Sequence, residues 1–293
     1  MTESVIAPNT KFTITLKWTN IAPVYQKLLT KNAKHVKAPG FRAGKVPAHI
    51  AEDIIGVEAI KEEVIRQLLP ASYQVVITEK KYHPLTQPSV KPVSWNKNED
   101  WNIEVEIAEK PEISLKKYQD LVKKAKKAAT EEAAKTEKEP KTDKAAPAKP
   151  PTDDEKKENT LQHIYRELVV GIQPAIPELL IREETRYELE QLVKSLRQVN
   201  LTLDDYLSKR HTTFDQLSTE MATQVLTRLQ LEFILDALIE DLKITAEDKD
   251  LQTYFERITD AAAREQQEKD ERYRAYLTRL ILRQKVGEHL LSL

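Results

Sequence analysis

The sequence predicts a mainly helical protein, with an α+β domain at its N-terminal end and an elongated all-α domain at its C-terminal end. Two observations carry this prediction. Apolar and polar residues alternate with the period of a strand only before residue 110. After residue 160, glycine occurs only at positions 171 and 287, and helix start signals recur. The chain has five glycines in 293 residues and 6% aromatic residues, which argues against a sandwich or barrel of many strands.

Residues 1–118 are predicted to form the α+β domain, in the order β-α-α-α-β-β. Its first strand is indicated by alternate apolar positions, namely Phe12, Ile14, Leu16 and Trp18. Helices are predicted over 21–36 and 57–80, and Pro47 and Gly56 are expected to begin and end a short helix between them. The closing antiparallel strands are predicted over 90–95 and 101–107. The three tryptophans, Trp18, Trp95 and Trp101, then lie on strands and pack into the core.

The helix over 57–80 is expected to bury one apolar stripe, which consists of Ile60, Val64, Leu68, Ala71 and Val75. Pro70 lies inside this helix. Because proline removes one backbone hydrogen bond and crowds the preceding turn, we expect a kink there.

Residues 119–159 are predicted to be a charged Lys/Ala/Pro/Glu linker. Between positions 123 and 158 the chain has 11 Lys, 9 acidic residues and 4 Pro, and no large apolar side chain. A segment of this composition cannot bury enough apolar surface to offset the entropy that folding would cost. Its first half, rich in Ala, Lys and Glu, could extend a helix, whereas the prolines of its second half disfavour one.

Residues 160–293 are predicted to form the all-α domain, with helices near 160–170, 177–198, 203–210, 214–243, 246–259 and 264–291. Capping boxes are predicted for three pairs, namely Thr202 with Asp205, Thr213 with Gln216, and Thr245 with Asp248. Asn200 is expected to end a helix in the left-handed conformation. A helix over 214–243 would be about 45 Å long, which indicates an extended arm or scaffold.

The basic residues are concentrated near the N-terminus. Between Ser4 and Ala51 there are eight Lys or Arg residues and no Asp or Glu, although the net charge of the whole chain is −1. Such a block is typical of a surface that binds a polyanion. It is equally compatible with a solvated basic face.

The sharpest local motif is Gly-Phe-Arg-Ala-Gly-Lys-Val-Pro over 40–47. Two glycines permit a tight turn, Phe41 can fill an apolar notch on a partner, and Arg42 can pair with a phosphate through two hydrogen bonds. A nucleotide-binding P-loop is excluded, because only three residues separate the glycines and Val46, which has no hydroxyl, follows Lys45. On this motif alone, an ordinary interhelical loop stays open as the alternative.

The motif closely resembles the ribosome-binding loop of trigger factors, a family of bacterial chaperones that act at the exit tunnel. Other segments resemble the family in the same order, at 64–78, 85–90, 103–113, 176–184, 201–207, 222–238 and 243–251. The resemblance implies contacts with the protein and rRNA of the large ribosomal subunit, made by Lys37, Gly40, Phe41, Arg42, Gly44 and Lys45. Ala43 departs from the family's usual Phe-Arg-Lys and removes one phosphate contact, for which Lys37 and Lys45 could compensate.

The resemblance implies an ATP-independent chaperone, a holdase whose helical arms hold nascent or unfolded polypeptides and prevent their aggregation. The charged linker stands where the family normally carries a prolyl isomerase domain, so no isomerase activity is expected and the chain is predicted to be no enzyme. The alternative is a ribosome- or RNA-associated helical adaptor without holdase activity. The composition of the linker argues against an isomerase with a degenerate site, and the basic loop argues against a periplasmic chaperone.

Composition disfavours other kinds of site. The chain has no cysteine, and no two of its six histidines have the spacing of a helical zinc pair. We therefore expect no catalytic residue, metal, cofactor or small-molecule substrate. No apolar run reaches the roughly 18 residues of a membrane span, and no secretory signal is visible, so a cytoplasmic protein is expected.

Overall fold

The structure is a computed structural model that describes residues 4–42, 46–115, 117–136 and 152–293. The chain separates into two compact units. The sheet unit consists of the described residues of 7–110 together with 177–183, and the helical unit consists of the other described residues. The chain is mainly helical, and an α+β region precedes an all-α region, as predicted.

The first elements are β1 (Ile6–Ala7), β2 (Thr10–Leu16), α1 (Trp18–Ala33), α2 (Ala48–Ile55), α3 (Val57–Lys80), β3 (Ser89–Ser94) and β4 (Trp101–Ile107). From β2 to β4 they follow the predicted order β-α-α-α-β-β. Strand β4 lies between β2 and β3 and pairs antiparallel with both. Because β4 is central, its inward side chains are fully buried, namely Trp101, Ile103, Val105 and Ile107. They pack with the apolar faces of α1 and α3 into one core.

Helix α3 has the predicted bounds and continues through Pro70, but part of its predicted stripe is wrong. Ala71 is exposed and Val75 is 55% exposed, whereas Ile65 and Leu69 are buried. The predicted stripe advanced almost always by four residues. At about 100° per residue the predicted stripe turns only about 60° from Ile60 to Val75, whereas Ile65 and Leu69 lie about 140° and 180° from Ile60. The buried face therefore turns further around this helix than the predicted stripe does.

The strand placement of two tryptophans is also wrong. Trp18 is the first residue of α1, and Trp95 follows the end of β3, although both pack against the core that contains Trp101. Strand β2 ends at Leu16, because the carboxylate of Asp100 accepts a hydrogen bond from the backbone N–H of Trp18 (2.7 Å) and so favours the start of a helix there.

The described ends of the predicted linker are helical. Residues 119–136 belong to α4 (Tyr118–Thr136) and residues 153–159 to the first turns of α5 (Asp153–Ile172), whereas residues 137–151 lie outside the described residues. Val122 and Ala125 of α4 are fully buried in the core of the helical unit. The linker prediction counted only large apolar side chains, whereas a face of small alanines lets two helices approach closely. The structure thus assigns residues 118–136 and 153–159 to the helical unit.

The remaining elements are β5 (Ile176–Pro177), α6 (Glu178–Gln198), α7 (Leu203–Arg210), α8 (Phe214–Asp241), α9 (Asp248–Phe255), α10 (Ala261–Lys269) and α11 (Glu271–Ser292). Short strands β1 and β5 pair with each other. The helix predicted over 264–291 is wrong, because two helices meet there at Asp270. The carboxylate of Asp270 accepts hydrogen bonds from the backbone N–H groups of Arg272 (2.8 Å) and Tyr273 (3.3 Å), which caps α11.

The helix caps mostly follow the prediction. Capping boxes are present at Thr202 and at Thr213, and Asn200 has a left-handed φ of 55°. At the third position the helix begins later than the predicted pair, with Glu247 as its N-cap residue, and the carboxylate of Asp250 accepts a hydrogen bond from the backbone N–H of Glu247 (2.8 Å). In the part of the chain that the structure describes, no helix combines the length and the apolar character needed to cross a membrane.

Candidate functional site

The motif over 40–47 lies in a loop whose two ends are held by a small apolar cluster. Val36, just after α1, and Val46, just before α2, are both buried. They pack with Ala51 of α2, which is fully buried. The cluster therefore fixes the points at which the chain enters and leaves the loop.

Within the loop, a tight turn presents an aromatic and a basic side chain. Gly40 has a φ of +83°, a left-handed conformation that a side chain would strain, and the backbone N–H of Phe41 donates to the carbonyl of Ala38 (3.2 Å). The ring of Phe41 is 42% exposed, and Lys37 and Arg42 are also exposed. The predicted site residues Gly44 and Lys45, like Ala43, lie outside the described residues.

Helix α1 carries a basic face that its own unit leaves unpaired. Lys27, Lys31 and Lys34 are exposed along one side of the helix and, with Pro23, Gln26 and Thr30, line a shallow depression of about 520 Å³. Within the described chain, none of these three lysines has a carboxylate within ion-pair distance. Lys11 and Lys17 of the same basic block differ, since they pair with Glu106 (2.6 Å) and Asp100 (2.8 Å).

Three side chains that sequence reasoning missed meet behind the loop, at Glu52 of α2. The hydroxyl of Tyr25, from α1, donates a hydrogen bond to one carboxylate oxygen of Glu52. The ammonium of Lys97, from the β3–β4 turn, lies 2.9 and 3.1 Å from the two oxygens and 5.4 Å from the centre of the Tyr25 ring. We call this cluster the Glu52 clamp.

The three side chains of the Glu52 clamp stabilise one another's protonation states at neutral pH. The hydrogen bond from Tyr25, followed by Lys97, lowers the pKa of Glu52 below its ordinary value against the opposing effect of burial. Burial, followed by the bond to Glu52, raises the pKa of the Tyr25 phenol. The phenol therefore stays protonated as a donor while the carboxylate stays ionised as an acceptor.

The helical unit has an apolar groove between α8 and α11, with a volume of about 360 Å³. Its lining comes from Asp236, Ile239 and Glu240 of α8 and from Ala275, Thr278, Arg279 and Leu282 of α11. On α11, next in sequence to lining residues, Tyr276 and Leu280 are 62% and 41% exposed. Among the described residues, no cluster of three or more His, Cys, Asp or Glu is arranged to hold a metal ion.

Comparison with known proteins finds similarity along most of the chain. A family model described as "Bacterial trigger factor protein (TF)" matches residues 2–140, and one described as its C-terminus matches residues 149–292. Curated trigger factors of Streptococcus mutans and Streptococcus suis are 36% and 34% identical over 109 residues, which is 37% of this chain and 26% of each relative. In these alignments the chain thus spans about a quarter of each relative's length.

A solved structure resembles nearly the whole chain in fold. It is described as "Promiscuous Substrate Recognition in Folding and Assembly Activities of the Trigger Factor Chaperone". The superposition covers 97% of this chain and 97% of the other chain, with a TM-score of 0.60. Sequence identity is 13%, so the likeness is one of fold.

Proposed function

The chain belongs to the trigger factor family, and from that premise we propose that it is an ATP-independent chaperone that docks at the ribosomal exit tunnel and holds nascent polypeptides. The observation that carries the docking part is the turn at Gly40, which presents an exposed Phe41 and Arg42 on a loop with buried ends. An aromatic ring that its own unit leaves exposed can fill an apolar pocket on a partner protein.

Docking combines this apolar contact with a salt-sensitive attraction to rRNA. We assign Phe41 to a protein at the exit tunnel and the basic side chains to phosphates, namely Lys37, Arg42 and Lys45 with Lys27, Lys31 and Lys34 of α1. Gly40 shapes the turn before Phe41, and we assign Gly44 to the same docking site. Because each neutralised phosphate releases counterions, affinity should fall steeply as salt rises.

The holding part belongs to the helical unit. Its groove between α8 and α11 offers an apolar floor that is open to solvent. Shallow apolar surface of this kind binds unfolded chain weakly and without sequence specificity, which suits a holdase in the cytoplasm that must release its clients without ATP.

We expect no prolyl isomerase activity. The two family matches leave only residues 141–148 between them, too few to form a folded domain. A prolyl isomerisation assay on a short peptide should therefore show the uncatalysed rate at every concentration of the chain.

Co-sedimentation with purified 70S ribosomes tests the docking proposal. The intact chain should pellet with ribosomes at low salt, and the Phe41→Ala/Arg42→Ala variant should not. The matched control is Lys91→Ala/Val93→Ala, which removes an exposed basic and an exposed apolar side chain from β3 of the same unit and should bind like the intact chain. Failure of the intact chain to pellet would overturn the docking proposal.

An adaptor without holdase activity is the second candidate, and the unpaired basic face of α1 would serve it equally well. The two functions differ in one measurement, light scattering of an aggregating client protein. A holdase lowers the scattering in proportion to its concentration without ATP, whereas an adaptor leaves it unchanged.

A further inference from the structure

We infer that Glu52 is a positioning residue of the loop, because it joins α2 to Tyr25 of α1 and to Lys97 and so fixes the spacing of the loop's two ends. The inference rests on the proposed docking function. It adds a residue outside the loop motif that acts on docking through the geometry of Phe41 and Arg42.

Helix α2 depends on contacts with other elements for its position. It has eight residues, of which only Ala51 is buried, and its N-cap residue Pro47 makes no side-chain capping bond. A helix of this length is not stable on its own in water. Since the loop enters α2 directly through Val46 and Pro47, any movement of α2 moves the end of the loop.

The Glu52 clamp supplies the missing attachment. Tyr25 lies in the main core and is 4% exposed, so its hydroxyl comes from a fixed position, and the Glu52 side chain is 13% exposed. Removing Glu52 would leave the Tyr25 hydroxyl and the Lys97 ammonium without the acceptor they share. The free energy lost should exceed what an exposed ion pair contributes, because the Tyr25 hydroxyl is partly buried and loses its hydrogen-bond acceptor.

The clamp and the apolar cluster hold the loop at two separate places. Val36, Val46 and Ala51 close the base of the loop, while Tyr25 and Glu52 hold α2 against an earlier turn of α1. A loop with fixed ends loses less conformational entropy when it binds. Loss of the clamp should therefore weaken docking although every docking side chain is still present.

Hydrogen exchange tests the clamp without the ribosome. In Glu52→Ala, the amides of 48–55 should exchange at least about tenfold faster, as expected for the loss of a charge-assisted bond. Amides in the centre of α3 should not change. Glu52→Gln should fall between the intact chain and Glu52→Ala, because its amide oxygen still accepts from Tyr25 but no longer carries the charge that pairs with Lys97. The control Glu63→Ala removes a carboxylate that bonds only within α3, to Arg66 (2.8 Å) and Gln67, and should leave 48–55 unchanged.

Ribosome affinity then tests whether the clamp acts through the loop. Glu52→Ala should weaken binding roughly tenfold, Glu52→Gln should weaken it less, and Glu63→Ala should stay near the intact value. In a Phe41→Ala background measured at low salt, Glu52→Ala should cost less than about twofold, because two residues that act through one contact are not additive.

The possible outcomes separate the two proposals. Unchanged exchange in Glu52→Ala overturns the clamp. Faster exchange in a Glu52→Ala variant that keeps its full ribosome affinity overturns the positioning role and leaves docking intact. The same holds if the affinity losses of Glu52→Ala and Phe41→Ala are additive. If the intact chain does not bind ribosomes, the docking proposal fails, and faster exchange confined to α2 and the loop ends would still support Glu52 as the residue that positions them.

Discussion

Asn9 accepts a hydrogen bond from the backbone N–H of Leu179 through its side-chain oxygen (2.8 Å), so a side chain 170 positions earlier in the sequence caps the first turn of α6. Its amide nitrogen donates to the carboxylates of Glu106 (3.0 Å) and Glu178 (3.1 Å). One residue thereby ties residues 177–183 to the strands of the sheet unit, to which they belong.

Replacing Asn9 tests this cap. Asn9→Ala should lower the free energy of unfolding by about 1–2 kcal/mol, as the loss of a helix cap does. Asn9→Asp keeps an acceptor but places a third carboxylate beside Glu106 and Glu178, so it should be destabilised at pH 7 and recover as the pH falls below 4. Urea unfolding at both pH values measures the effect, and an unchanged midpoint for Asn9→Ala would contradict the cap.

Glu106 should make the sheet unit sensitive to acid. Its bond with Lys11, followed by the bond from Asn9, holds the pKa of Glu106 below its ordinary value. The unfolded chain therefore takes up this proton first, so the stabilisation is present above about pH 4.5 and is lost as the pH falls through the lower folded value. Glu106→Gln should be less stable than the intact chain at pH 7, and the difference should shrink towards pH 3.

The control for Glu106 is Glu104→Gln, on the same strand. It makes the same change of charge, and Glu104 has no ion pair in the described part of the chain. Its effect on the free energy of unfolding at pH 7 should be smaller than that of Glu106→Gln, because no ion pair is lost. Equal pH dependence in the two variants would show that the Lys11 pair contributes nothing.

The packing of α4 on α5 can be tested at Gly171. A Cβ atom at this glycine would lie 2.5 Å from both terminal methyl groups of Leu121. Gly171→Ala should destabilise the chain while Leu121 is present, although alanine favours a helix by about 1 kcal/mol over glycine. In a Leu121→Ala background the same change should stabilise it. Thermal unfolding of the four proteins measures this coupling, and additive effects would mean that α4 does not pack there.

This helix pair also shows where sequence reasoning reached its limit. Secondary structure followed from local patterns wherever a large apolar residue recurred, as in β4 and α3. The burial of Ala125 gives no such signal, because alanine serves exposed and buried helix faces equally well. Whether α4 packs depends on the opposing helix α5 and on Gly171, which leaves room for Leu121 of α4.

The sequence predicted those parts of the candidate site whose residues are neighbours in the sequence. The loop motif led to Phe41 and Arg42 because their neighbours in sequence shape the turn. The Glu52 clamp joins residues that lie 27 and 45 positions apart in the sequence, and no local pattern marks Tyr25 or Lys97 as its partners. The break at Asp270 was missed for the opposite reason, since a helix-forming composition continues through it.

Arg228 is expected to neutralise a cluster of carboxylates in the helical unit. It lies 2.9 Å from Glu184, 3.5 Å from Glu188 and 4.0 Å from Glu232. Arg228→Met leaves Glu184 and Glu188 without this cation, whereas Glu232 keeps its pair with Arg283 (3.4 Å), so the variant should lower the free energy of unfolding by about 1 kcal/mol at low salt. The loss should be smaller at high salt, which screens the repulsion.

The control for Arg228 is Lys269→Met. Lys269 forms an exposed pair with Glu265 within one helix (2.6 Å), and such a pair contributes roughly 0.3–0.5 kcal/mol or less. Urea unfolding at two salt concentrations compares the variants. Equal losses, with equal salt dependence, would mean that the cluster around Arg228 adds nothing to a single surface pair.

The groove between α8 and α11 should carry the client-holding activity. Ala275 lines it and is exposed, so Ala275→Glu places a charge in the groove without opening the core. Because an apolar segment cannot solvate that charge, the variant should need several times more protein to suppress client aggregation by half. Ala261→Glu makes the same substitution at an exposed alanine of α10 outside the groove and should behave like the intact chain. Both variants should still pellet with ribosomes, and full suppression by Ala275→Glu would move client binding to another face of the helical unit.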